Sequence, residues 1–185
     1  MITNTLVSIS NRALTFLGAQ PITSLEDDTK EARSCNRTIA QSRDSVLRSH
    51  AWNFAVKRAS LAANTTAPLF EYANAFDWPA DCLRIIEINT LEEWNVEGRQ
   101  IVSDAAAPLE IVYISQVTDP TIFDVLFVEV LALRLAADIA YEITASQTIL
   151  SNMEELYRRK IAGARVIDAQ EAQPVDEVDF LESRI

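Results

Sequence analysis

Glycine is scarce in this chain: Gly18, Gly98 and Gly163 are the only three in 185 residues, and each stands alone. No glycine-rich cradle for a phosphate can be built from isolated glycines, so neither a GxGxxG turn nor a P-loop is available. Histidine occurs once, at His50, and cysteine twice, at Cys35 and Cys82, far apart and without a ligand at metal-binding spacing. That pattern excludes a zinc site and a CxxC redox pair, and it fits a reducing compartment. Basic residues are the minority, 16 Lys and Arg against 27 Asp and Glu, for a net charge of −11. A surface that grips nucleic acid throughout needs the opposite balance. No run of about 18 uncharged apolar residues is present, and MITNTLVSIS has no basic stretch before its short apolar one, so the chain reads as soluble and unsecreted, with no membrane partner.

What is present is periodicity. Residues 3–17 place Leu6, Ile9, Ala13 and Leu17 at helical spacing, with Gly18 where a left-handed cap would sit. Residues 29–49 put Ala32, Cys35, Ile39, Ser42 and Val46 on one stripe, a second helix expected to pair antiparallel with the first. The period then shortens to two over Trp52, Phe54 and Val56, which predicts a strand with those side chains facing the core. Further strand-like pieces are 70–76, 82–88, a hairpin turning near Glu97-Gly98, and 109–117, together a small, mostly antiparallel sheet over 52–117. Asp119-Pro120 supplies a capping residue and a first-turn proline for a helix over 121–144, and a last helix is expected over 146–170 with Glu154–Arg158 and Glu155–Arg159 pairs four apart. The order is that of an α+β fold, mainly a helical bundle with a small antiparallel β subdomain inserted between N- and C-terminal helices. One domain is expected over 1–171, followed by an acidic tail, 172–185.

Three constellations carry possible chemistry. RSHAWNFAVKRASLA (48–62) gathers Arg48, Lys57 and Arg58 with Trp52, Phe54 and His50. These residue types are those of a single-strand nucleic-acid module, while burial preference makes Trp52 and Phe54 structural anchors between the helices and the sheet. Glu26-Asp27-Asp28 is a carboxylate run that would serve a magnesium-dependent hydrolase, or simply complement the dipole of the following helix. In IFDVLFVEVLALRLAADIAYEIT, Asp124, Arg134, Asp138 and Glu142 share a sector, Glu129 lies nearly opposite, and the remaining circumference is apolar. A helix so apolar is buried on several sides, one of which a second copy of the chain could cover.

The succession ALTFLGAQPITSLEDDTKEARSCNR, RDSVLRSHAWNFAVKRASLA, VEGRQIVSD, YISQVTDPTIFDVLFVEVLALRLAADIAYEIT and LYRRKIAGARVIDAQEA resembles the head-to-tail adaptor proteins of short-tailed bacteriophages, called tail tubular protein A or head-completion proteins. The resemblance implies a structural virion protein without catalytic residues, metal or cofactor. It implies a homo-oligomeric ring, usually a dodecamer, that sits at the head-tail junction, binds the portal protein and joins it to the tail nozzle. DNA would pass through its channel at ejection without specific binding, and the protein would be made in the host bacterial cytoplasm. The C-terminal segment would reach toward the portal, which assigns partner binding to Val175, Val178, Phe180, Leu181 and Ile185. The acidic balance agrees with passage, since a negative wall repels the phosphates that move past it.

Overall fold

The computed structural model describes residues 4–171. It is a mixed α+β protein with four α-helices and two small antiparallel sheets. The residues form two compact units: one combines the chain up to Ser42 with the chain from Phe123 onward, and the other is Arg43–Ile122.

The first unit holds α1 (Leu6–Phe16), most of α2 (Lys30–Ser49), α3 (Val125–Thr144) and α4 (Gln147–Glu171). α1 starts where Thr5 and Ser8 cap each other reciprocally: the Ser8 N–H donates to Thr5 Oγ1 at 3.0 Å and the Thr5 N–H to Ser8 Oγ at 2.9 Å. It ends before Gly18, whose φ of +67° suits glycine. The Asn11 amide then holds both backbone groups of Ile22, at 2.9 and 2.8 Å, and folds the following turn back onto the helix. The close backbone neighbour of α1 is α3, not α2 as an antiparallel pair would require. All three helices nonetheless share one core: Ala13 and Leu14 of α1, Cys35 and Ile39 of α2, and Ala136 and Ile139 of α3 belong to one buried cluster.

α3 does not begin at Asp119-Pro120. Asp119 instead accepts from the Thr121 N–H at 2.9 Å and its hydroxyl at 2.7 Å, closing a single 3-10 turn at Pro120–Ile122. The helix cap is Asp124, which accepts from the N–H groups of Leu126 and Phe127 at 2.7 and 3.3 Å. α3 ends at Ala145, a non-glycine residue at φ 53° whose N–H donates to Tyr141 O at 2.8 Å. α4 starts two residues later. The Glu154–Arg158 and Glu155–Arg159 pairs lie on its exposed face, at 3.4 and 3.6 Å.

The second unit contains six strands: β1 (Val56–Leu61), β2 (Asn74–Asp77), β3 (Cys82–Asn89), β4 (Trp94–Glu97), β5 (Gln100–Ser103) and β6 (Leu109–Ser115). They form two three-stranded sheets, β1-β6-β3 and β2-β5-β4, where the alternation suggested one. Phe76, Ile88, Ile101, Leu109, Ile111 and Tyr113 make the buried cluster of this unit. The anticipated piece at 70–76 is strand only from Asn74; Leu69 and Phe70 stand exposed in the preceding loop.

Trp52 and Phe54 do not lie on a strand. Asn53–Ala55 is a 3-10 turn, closed by the Ala55 N–H donating to Trp52 O at 2.8 Å, and β1 starts only at Val56. The turn sends Trp52 into the interior, fully buried, with its indole N–H on Val46 O at 3.1 Å, while Phe54 is half-buried and Ala55 takes the interior position expected for it. A two-residue period over so few positions cannot separate a strand from a tight turn.

Candidate functional site

Trp52 is fully buried, but in a turn just after α2 rather than on a strand. His50 sits edge-on to it at 5.1 Å. The cations of the same stretch are spread over separate partners. Arg48 donates to the Leu83 carbonyl. Lys57 pairs with Asp81 at 2.8 Å, and the Tyr113 hydroxyl donates to the other oxygen of that carboxylate at 3.1 Å. The Lys57 bond is the first cause holding the Asp81 carboxyl below the usual range, while burial and the adjoining Asp81 push the Tyr113 phenol up to about 12. Arg58 is exposed on β1 opposite Val112. Because Trp52 is buried, it presents no ring face on which a base could stack.

The carboxylates of 26–28 diverge as well. Asp27 accepts from the N–H groups of Thr23 and Ser24 at 2.8 and 3.0 Å; the Ser24 bond, then Thr23, holds its carboxyl low. Asp28 pairs with Arg33, and Glu26 accepts from Asn36 at 3.2 Å. Among the described residues, no group of three or more His, Cys, Asp or Glu side chains is placed to hold a metal ion.

The charged side chains of α3, Glu129, Arg134, Asp138 and Glu142, each meet other parts of their own unit, Arg134 over the Tyr157 ring of α4. Glu142 accepts from Ser34 at 2.7 Å and from Arg37 at 2.7 Å, and Asp138 accepts from Ser42 at 2.6 Å and from Arg134 at 3.0 Å. On the opposite side Glu129 pairs with Arg12 of α1 at 2.7 Å and with Lys160 of α4. Eleven of the twenty residues of α3 are buried, which leaves large exposed side chains only toward its ends, Val125 and Tyr141. Within the single chain this helix is already mostly covered, so it presents no broad apolar side to a second copy.

Val175, Val178, Phe180, Leu181 and Ile185 lie outside the described residues. No helix among the described residues is long and apolar enough to cross a membrane.

One surface went unnoticed in the periodicity. β4 is the outer strand of β2-β5-β4, and all four of its residues are exposed. Its register, Trp94↔Ser103 and Val96↔Ile101, places Trp94 and Val96 on the same face as the buried Ile101 and Phe76. They continue the buried face of the sheet out to an uncovered rim, 47% and 38% exposed. Carboxylates crowd the same region: the Tyr72 phenol is pushed up first by burial and then by Glu71, Glu93, Glu97 and Asp104. The signal in the sequence was Glu93-Trp94-Asn95-Val96-Glu97, an alternation of polar and apolar residues too short to stand out.

No family model matches the chain, and no curated protein matches it.

Proposed function

We propose that this protein is a structural connector of a bacteriophage virion, a helical bundle with an inserted β region that assembles as a ring between the portal and the tail nozzle. The observation that carries this reading is the distribution of exposed apolar side chains over both units. Leu69 (98% exposed), Phe70 and Leu91 stand on loops of the second unit, and Val125, Val166 and Ile167 on helices of the first. Side chains of this kind scattered singly are ordinary; present on two separate bodies of one small chain, they suit a protein that meets several neighbours at once. The acidic balance fits a conduit that lets duplex DNA pass without holding it. The resemblance of the sequence segments to head-to-tail adaptors supports the choice of neighbours: portal protein on one side, nozzle on the other, and like copies beside.

The test is a mass measurement, by native mass spectrometry or sedimentation, of the purified chain alone and mixed with portal protein. A ring of defined copy number on the portal is expected. A chain that stays monomeric in every mixture overturns the reading. Deleting 175–185 should weaken portal binding if the tail makes that contact.

A further inference from the structure

We propose that the outer edge of β4 takes an extended, basic segment of a partner protein as a fourth strand of the sheet β2-β5-β4. The inference rests on the edge itself and holds whether or not the chain forms a ring. The hairpin joining β4 to β5 has a two-residue turn, Gly98-Arg99, with the positive φ at Gly98 alone, the pattern of a type II′ turn. Such a turn makes Glu97 and Gln100 the closing hydrogen-bonded pair, and antiparallel pairs then alternate. Asn95↔Val102 is therefore hydrogen-bonded, while Trp94 and Val96 direct their N–H and C=O groups away from β5, off the open edge. The Val96 N–H shows this directly: its acceptor is not β5 but the Asn95 side chain, Oδ1 at 2.8 Å.

An arriving strand would find two different faces. Trp94 and Val96 offer an apolar strip on one, and Glu93, Asn95 and Glu97 project on the other, with Glu92 beside them. Among the described residues no ion pair engages Glu92, Glu93 or Glu97. The complement is a strand that alternates apolar residues with Lys or Arg. A second β4 edge does not fit, since it would set Glu93 and Glu97 against their own copies, and like charges facing across strands are destabilising. The acidic 172–185 segment fails for the same reason. Asn95 serves as a local guard: its side chain satisfies the outward N–H until a partner strand displaces it, which keeps the edge from indiscriminate pairing.

The experiment titrates the isotope-labelled full chain with a capped (Lys-Val)4 peptide, following backbone amides by NMR. The Trp94 and Val96 amides should shift and exchange more slowly, and binding should weaken at 0.5 M salt. Glu93→Gln with Glu97→Gln should weaken binding about three- to tenfold, the scale of one or two lost charge attractions. Val96→Pro removes the outward donor without touching the β5 ladder and should weaken it about tenfold, with the Gln100 and Val102 amides still protected as proof of folding. Should that variant unfold, Asn95→Ala decides: it removes the competing cap and should tighten binding about threefold. Shifts confined to other residues, undiminished binding by the proline variant, unchanged affinity in Asn95→Ala, equal binding of (Glu-Val)4, or self-association through β4 without peptide each overturn the proposal.

Discussion

Ser42 Oγ donates to Asp138 Oδ2 at 2.6 Å, joining side chains 96 positions apart on α2 and α3. Ser42 is fully buried, and the carboxylate it meets is also gripped by Arg134. Ser42→Ala keeps the packing and removes the donor, so urea unfolding should show a loss of about 1–2 kcal/mol. Asp138→Leu would leave the buried Ser42 hydroxyl without that acceptor and should cost at least as much. Equal stability of both variants with the parent would show that the α2–α3 seam is held by apolar packing alone.

Acid should loosen the first unit. Arg37 and then Ser34 hold the Glu142 carboxyl below its ordinary value of 4.5, and Lys160 then Arg12 do the same for Glu129. A depressed carboxyl contributes stability that is complete above its unfolded value and drains away as pH falls through the lower folded one. Urea midpoints should therefore hold between pH 7 and 5 and fall below about 4.5. Glu142→Gln and Glu129→Gln should each flatten that fall; an unchanged pH profile in both would show the ion pairs to be inert.

Two glycines should respond in opposite directions to alanine. Gly98 has φ +62°, so alanine there is strained despite the open space around it, and a loss of about 1 kcal/mol is expected. Gly163 lies inside α4 with nothing within 4 Å of an added Cβ, so alanine should gain up to about 1 kcal/mol through the unfolded chain. Thermal melts of the two variants against the parent check the sign directly.

The thiols should be silent until the protein opens. Cys35 is fully buried, and burial pushes it up to about 11; Cys82 is raised for the same reason. Neither should react with a thiol reagent at pH 8 in the native state, and both should react once urea unfolds the chain. Fast labelling of Cys35 in native protein would contradict the described packing.

Trp52→Ala should be the most damaging single change in the second unit, about 3–5 kcal/mol, because it empties the interior at the junction of α2 and β1 and leaves the Val46 carbonyl with the Ser49 hydroxyl but without the indole N–H. Phe54→Ala, half-exposed, should cost distinctly less.

The helices were readable because their signals are long: three-four spacing persists through α2 and α3, and Gly18 and the 154–159 ion pairs lie where local rules put them. The start of α3 misled because Asp119-Pro120 and Asp124 both resemble caps; only packing of Phe123 against Phe127, 4.9 Å between rings, shows which one the core selects. Trp52 was correctly placed inside but on the wrong element, since three alternating residues fit a 3-10 turn as well as a strand. The division into two sheets depends on which strands pair across the unit, and residues such as Asn64 and Ala75, or Arg99 and Trp78, carry no pattern that announces it. The β4 rim was hidden for a related reason: whether Trp94 is covered is decided by strand order, not by its neighbours in the chain.

Ala145 makes the corner between α3 and α4 from a residue that dislikes the angle it adopts. A glycine there would let the corner sample many bends; alanine accepts this one only because Tyr141 and the packed helices on either side insist on it. The turn therefore has few alternatives open to it, and α4, the longest helix among the described residues, leaves α3 by one constrained residue.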